Sequence, residues 1–326
     1  MRNKTIGKEI QKITIDFIKK YAIFIILVLV VALFSILSPV FFTADNLINV
    51  ARQISIIMIA AVGATIVIVT GGIDLSIGSM LSLSHVFVAT FMIIMVWNPW
   101  IACILTILIN LAIGFIHGIL ITKVKIPPLI VTLASWNILQ GIALQITQGT
   151  TIARFPNSFK VIGQGYLWLI PIPVIIAVAA IAIGALILNK TTFGRYFFAI
   201  GGNEEAARLS GVRVDRMKIA AYMGSAFFTT IGAIVLLSRI DTAMATTGQG
   251  FEFTVIIAVV LGGISIRGGR GRLSNVVAGV IILGLLANGM AILNMGAYIQ
   301  LVLKGLILLI AVGFDTFSSS RRMKEI

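Results

Sequence analysis

The run Val69-Thr70-Gly71-Gly72-Ile73-Asp74-Leu75-Ser76-Ile77-Gly78-Ser79 places one carboxylate and three glycines between two stretches that are otherwise almost wholly apolar. An aspartate so placed can titrate as a proton carrier, contact solute hydroxyls, or cap a helix by accepting its free N–H groups. Gly71 and Gly72 end one helix, and Asp74 or Ser76 begins the next, so capping and turn geometry is the favoured reading. The alternative is a broken helix that lines a solute path. Gly262-Gly263-Ile264, within VLGGISIRGG at 260–269, offers a similar turn.

Catalytic chemistry finds no support, and no residue is assigned to catalysis or to a metal. The sequence holds no G-x-x-x-x-G-K-[ST] run to cradle a nucleotide phosphate. His85 and His117 stand alone in apolar stretches without a metal-ligand pattern, which suits satisfied interior histidines. Cys103 is the only cysteine, which excludes an intrachain disulfide and a thiolate metal site. The apolar stretches also carry Asn110, Ser135, Asn137, Gln140, Asn288, Asn294 and Glu252. Hydrogen bonding between helices accounts for most such residues. Asn137 and Gln140, three apart beside Trp136, are better candidates for a polar path, and Asp74 and Asn288 join them. Amides both donate and accept, and an indole covers the apolar face of a sugar, so this lining suits a polyhydroxylated solute.

These residues sit in a chain of 326 residues that is 59% hydrophobic and 11% charged, with mean hydropathy +1.10. An ordinary soluble domain carries about 25% charged residues, so this is an all-α integral membrane protein. Ten apolar runs have the length of a membrane helix: 21–37, 47–69, 75–96, 100–121, 127–147, 168–189, 217–237, 251–266, 274–293 and 297–316. With ten spans and both termini cytoplasmic, 20 of the 25 Lys and Arg residues fall on the inner side. The net charge of +14 is thereby explained by orientation, and nucleic acid is excluded as a partner. The organisation is a cytoplasmic N-terminal amphipathic segment at 1–20, a transmembrane domain at 21–316 with its inner loop at 190–216, and a cytoplasmic tail at 317–326.

Two connections are long. The outer one, 148–167, contains Pro156, Gly163 and Gly165 and reads as a loop with a short turn of helix. The inner one, 190–216, holds Gly201-Gly202-Asn203 followed by Glu204 and Glu205. Asn203 caps a helix of about two turns whose acidic first turn complements the helix dipole, and Gly211 ends it. Such a helix is either a handle for a cytoplasmic partner or a plain linker.

Three blocks carry a family resemblance: VTGGIDLSIGS at 69–79, TFGRYFFAIGGNEEAARLSGVRVDRMKI at 192–219, and VVLGGISIRGGRGRLSNVVAGVIILGLLANGM at 259–290. Together with NLINVARQISIIMIAAVGATI at 46–66, they make the chain resemble membrane permease subunits of bacterial ATP-binding-cassette importers for ribose and related monosaccharides. The resemblance implies a multi-pass protein of the bacterial cytoplasmic (inner) membrane. It would work as a homodimer, or with a paralogous permease, alongside two ATPase subunits and an extracytoplasmic sugar-binding protein. No cofactor is expected on this chain, because ATP and Mg²⁺ belong to the ATPase. Glu205-Ala206-Ala207 and Gly211 match the first part of the ATPase-docking loop of such importers, which gives Glu204, Glu205, Ala206, Ala207, Arg208 and Gly211 a coupling role. Gly71, Gly72, Gly262 and Gly263 remain structural turns. The chain departs from its relatives at Gly250-Phe251-Glu252-Phe253-Thr254, where an aspartate often follows the glutamate, and at Gln140, where an arginine is common. Ribose, xylose, arabinose, galactose and autoinducer-2 therefore all stay open as solutes. A proton- or sodium-coupled secondary transporter using Asp74 is the rival expectation, and a structural or receptor subunit a third.

Overall fold

The computed structural model describes residues 23–323. These form a helical bundle: α1 (Ile23–Leu37), α2 (Ala44–Val69), α3 (Ile77–Ala89, extended by a π-helical turn at Thr90–Ile94), α4 (Pro99–Thr122), α5 (Pro128–Thr147), α6 (Asn157–Gln164), α7 (Ile172–Lys190), α8 (Thr192–Gly202), α9 (Glu204–Leu209), α10 (Val214–Ile240), α11 (Phe251–Leu261), α12 (Leu273–Ile292) and α13 (Ala297–Met323). Two-residue strands β1 (Ile152–Ala153) and β4 (Thr242–Ala243) pair antiparallel, as do β2 (Tyr166–Leu167) and β3 (Ile170–Pro171). Seven helices among the described residues are long and apolar enough to cross a membrane: α2, α3 with its π turn, α4, α5, α7, α10 and α12. The expected amphipathic segment 1–20 lies outside the described residues. Helix α13 continues past the expected span end at 316 to Met323.

Helix α2 is the axis of the bundle, because every residue from Ile54 to Val69 is buried and the helix is packed by α7, α10, α11 and α12. Helices α4 and α10 make the most intimate pair. A Cβ at Gly114 would stand 2.7 Å from the Tyr222 carbonyl oxygen, and one at Gly118 only 2.5 Å from the Ile219 Cα. This small-xxx-small spacing lets two backbones approach where apolar burial alone supplies no drive, lipid being as apolar as leucine. Asn110 Nδ2 locks the same region by donating to Ser84 Oγ at 2.7 Å and Thr230 Oγ1 at 2.8 Å. His85 is fully buried, and its Nε2 lies 3.0 Å from the Ala233 carbonyl. A carbonyl only accepts, so that nitrogen carries the proton.

One expected span is corrected. The run 251–266 predicts a full crossing, yet α11 stops at Leu261 after 11 residues. Gly263 takes φ +79°, and a Cβ on Gly262 would meet the Val276 Cα at 2.5 Å, so the chain turns there against α12. Upstream, residues 244–250 run through successive turns rather than helix, closed by Thr247 N donating to Met244 O at 3.2 Å and Gln249 N to Thr246 O at 3.1 Å. At about 1.5 Å per residue, α11 spans little more than half of a hydrocarbon core about 30 Å thick. Its first turn therefore stands near mid-membrane.

The segment 148–167 folds as a cap that includes α6. Gly163 N donates to Ser238 Oγ at 2.7 Å, and Lys160 pairs with Asp241 at 2.8 Å. Asp241 also accepts from Phe155 N at 3.0 Å. The Lys160 hydrogen bond foremost, joined by the Phe155 amide, holds the Asp241 carboxyl below its ordinary value against the opposing effect of burial. A depressed carboxylate contributes stability above its unfolded value, about 3.9 for aspartate, and loses it as pH falls through the lower folded value. Protection of the Phe155 amide, the ratio of its intrinsic to its observed hydrogen-exchange rate, is therefore expected to hold at about pH 5 and to fall only well below about pH 4, and Asp241→Asn should remove that acid transition.

Candidate functional site

Chemistry-bearing residues gather at three places. At the first, Asp74 is almost fully buried at the turn between α2 and α3. Its Oδ1 accepts from Ser76 N at 3.0 Å and from Ser76 Oγ, and its Oδ2 accepts from Ser225 Oγ on α10 at 2.7 Å. His117 and Tyr222 complete the cluster, each near enough to feel the carboxylate charge. Thr132 Oγ1 ties the preceding carbonyl, Ile73 O, to α5 at 3.2 Å. Asp74 thus engages the bundle's own donors through both oxygens.

The second place is a junction of three glycine pairs that brings one end of the bundle together. Gly269 N donates to Val69 O at 2.9 Å. A Cβ on Gly268 would stand 2.7 Å from Gly71 N, one on Gly269 2.6 Å from Gly202 N, and one on Gly201 inside the contact distance of both Val69 O and Gly269 N. Backbone meets backbone at every step, so no side chain fits between. Gly71 has φ +82° and Gly72 faces the Tyr222 hydroxyl, which a Cβ would approach to 2.5 Å. The turn at 262–263 lies apart from this junction; its partner is α12. A cleft of about 240 Å³, lined by both Gly201 and Gly202 and by Arg267 and Arg270, opens beside the junction.

Helices α8 and α9 project from it. Asn203 Oδ1 accepts from Ala206 N at 3.0 Å, which caps α9. Arg208 reaches Glu204 at 3.3 Å and Asp215 at 3.4 Å, Lys123 joins Asp215 at 2.7 Å, and Lys218 joins Glu204. Ala207 is buried in a small cluster with Ile200 and Val214, while Ala206 is exposed. Gly211 takes φ +85° and turns the chain toward α10. Glu204 and Arg208 are therefore spent on holding the elbow, and Glu205 and Leu209, one helical turn apart, face outward.

The third place is where α3 and α5 meet the non-helical segment 244–250. Gln140 Nε2 donates to Ala245 O at 2.8 Å, and Gly248 N donates to Ser82 Oγ at 2.9 Å. Trp136, one turn from Gln140, lies against the Glu252 carboxylate. Asn137 does not share this position: it is exposed and donates to Leu133 O of its own helix at 3.3 Å. Asn288 forms a reciprocal amide pair with Asn46 at 2.8 and 2.9 Å, tying α12 to α2. The sequence points to Asp74 but not to Ser225, which binds it, nor to the neighbouring pair of rings His117 and Tyr222, and it groups Glu252 with packing residues. The spacing Gly114-x-x-x-Gly118 was the available signal for the α4–α10 contact that positions Tyr222.

Residues 46–312 match the family model described as branched-chain amino acid transport system / permease component. The ribose import permease protein of Bacillus subtilis is 41% identical over 323 residues, covering 98% of this chain and all of the relative. The ribose import permease protein of Haemophilus influenzae is 35% identical over 99% of this chain and all of the relative. The L-arabinose transport system permease protein of Escherichia coli is 38% identical over 93% of this chain and 92% of the relative. No solved structure matches the chain. With most of its length under one family model and full-length relatives well above 30% identity, this chain belongs to the transport-system permease component family.

Proposed function

We propose that this chain is the translocation subunit of an ATP-driven importer of a pentose or similar monosaccharide. The observation that carries the reading is full-length similarity to ribose and arabinose permeases, joined to a rigid, outward-facing elbow at α8–α9. The class of solute follows the relatives rather than the amino acid in the family description. The seven long helices together with the three shorter apolar ones, Ile23–Leu37, Phe251–Leu261 and Ala297–Gly313, support ten membrane segments. The concentration of Lys and Arg at the α9 end supports a cytoplasmic position for that end and for both termini.

ATP and Mg²⁺ sit on a separate ATPase in this reading, and a binding protein delivers sugar to the opposite side. A second permease copy, identical or paralogous, covers part of the apolar surface of α5, where Ile130, Leu133, Ile138 and Ile142 are exposed. Helix α9 has the build of a lever. Its inner face is fixed by Ala207 and by the Glu204, Arg208, Asp215 and Lys218 ion pairs, so a push on Glu205 and Leu209 moves the elbow rather than bending it. The glycine junction carries that movement to the end of α2 and to residues 268–269 ahead of α12, because its contacts are backbone to backbone and have no compliant side chain between them.

Glu205→Arg is expected to reduce co-purification of the ATPase at least about tenfold, the equivalent of about 1.4 kcal/mol, while the permease inserts and purifies normally. Undiminished co-purification of the charge-reversed variant overturns the coupling assignment.

A further inference from the structure

Near mid-membrane, three polar atoms that are closed off from solvent have no hydrogen bond of full geometry among the described residues: Glu252 Oε2, Gln140 Oε1 and Trp136 Nε1. The indole N–H faces the Glu252 carboxylate without closing on it. Glu252 is 3% exposed and Gln140 8%. Buried polar groups are ordinarily satisfied, and an acceptor or donor left unpaired carries its full desolvation penalty. Three in one neighbourhood mark a place built for a partner that the protein itself does not supply. The surrounding backbone fits that use. Glu252 lies in the first turn of α11, where the Gly250 and Glu252 backbone faces its carboxylate and fixes it in place. Its Oε2 sits against Gly78 so closely that a Cβ there would overlap it. Gln140 is held by its amide nitrogen on Ala245 O, which leaves the carbonyl oxygen as the free end. Irregular backbone at membrane depth, opening a half-helix, is tolerated where it lines a cavity and marks solute sites in transporters.

We propose that Glu252, Gln140 and Trp136 form a hydroxyl-reading subsite in the membrane path, taking neighbouring hydroxyls of a monosaccharide as it crosses; this rests on the importer reading above. The chemistry matches a vicinal diol. The Glu252 carboxyl and the Gln140 amide oxygen accept two hydroxyl protons, the indole N–H donates to a sugar oxygen, and the indole ring covers apolar C–H positions.

The test uses the full complex of permease, ATPase and binding protein in proteoliposomes, with labelled D-ribose, L-arabinose and D-xylose as probes. Glu252→Gln is expected to lower uptake of the transported pentose about tenfold, in keeping with loss of one hydrogen bond to the solute, while ATP hydrolysis stays within about twofold of wild type. Gln140→Leu is expected to reduce uptake without reducing expression. Uptake unchanged in both variants, or uptake and hydrolysis falling together, overturns the subsite. A second arm needs no ATPase: in a Cys103→Ser background, Gln140→Cys in the detergent-solubilised permease should react with a maleimide more slowly in saturating pentose than in an equal concentration of leucine. Equal reaction rates also overturn it. A wild-type complex that fails to move any of the three pentoses on ATP, with protection still seen at position 140, tells against the importer reading and leaves the subsite standing.

Discussion

Alanine at Gly201 is expected to disconnect the α8–α9 elbow, whereas alanine at the adjacent Gly202 should be harmless. The two positions have the same chemistry and opposite surroundings. A Cβ on Gly201 would collide with Val69 O and Gly269 N, which are the two atoms joined by the 2.9 Å hydrogen bond of the junction. Neither belongs to a flexible side chain, so the backbone segments must part and that bond must lengthen or break. Overpacking of this kind costs about 1–3 kcal/mol, occasionally more, and the lost backbone bond adds about 1 kcal/mol. A Cβ on Gly202 meets nothing within 4 Å, and its φ lies outside the left-handed region. There the exchange of glycine for alanine in helical backbone favours α8 by up to about 1 kcal/mol. Thermal unfolding in detergent should show Gly201→Ala melting at least several degrees lower and Gly202→Ala unchanged or higher. ATP-driven uptake should fall only in the first. Two variants that behave alike would mean that the junction is not rigid.

Removal of the Asp74 carboxylate should be the most damaging polar substitution in the chain. Asp74→Ala strands Ser76 N, Ser76 Oγ and Ser225 Oγ in the bundle interior, all of which now donate to one side chain. At about 1–3 kcal/mol for each unsatisfied buried group, the expected loss is about 3 kcal/mol or more, enough to prevent recovery of folded protein. Asp74→Asn separates structure from titration. Its amide oxygen still accepts from Ser76, and the Ser225 hydroxyl can turn to accept from its NH₂, so the loss should be about 1 kcal/mol. An asparagine carries no titratable proton. ATP-driven pentose uptake that survives Asp74→Asn is expected of a capping residue, whereas uptake abolished in a well-folded Asp74→Asn protein would favour a proton-carrying role.

The features legible in the sequence were those whose cause is local. Long apolar runs give helices because the backbone must satisfy itself in hydrocarbon, and α2, α4, α5, α7, α10 and α12 follow their runs within a few residues. Helix α9 was legible in detail, since Asn203, Glu204, Glu205 and Gly211 each act on their immediate neighbours. Two extents were not. Helix α8 is a full 11 residues inside what reads as a connection, and α11 is 11 residues inside what reads as a span. Hydropathy measures how apolar a segment is, and Val255 to Ile266 is apolar almost throughout; it cannot register that Gly262 must press against Val276. The site was hidden for a similar reason. Asp74 meets Ser225 across 151 positions, and Gln140 meets Ala245 across 105. Nothing near either residue announces its partner. The likeness between the glycine pairs at 71–72 and 262–263 is one of turn sequence only, because the backbone that meets Gly71 is Gly268.

The brevity of α11 also bears on how the protein is made. A segment enters the bilayer from the translocation channel on its own when about 20 apolar residues compensate for its dehydrated backbone. Residues 251–261 offer about half of that and bring the Glu252 carboxylate with them. Their place in the bilayer therefore rests on neighbours as well as on their own hydropathy: α12, against whose Val276 backbone Gly262 closes, and α3 and α5, which hold residues 244–250 through Ser82 and Gln140.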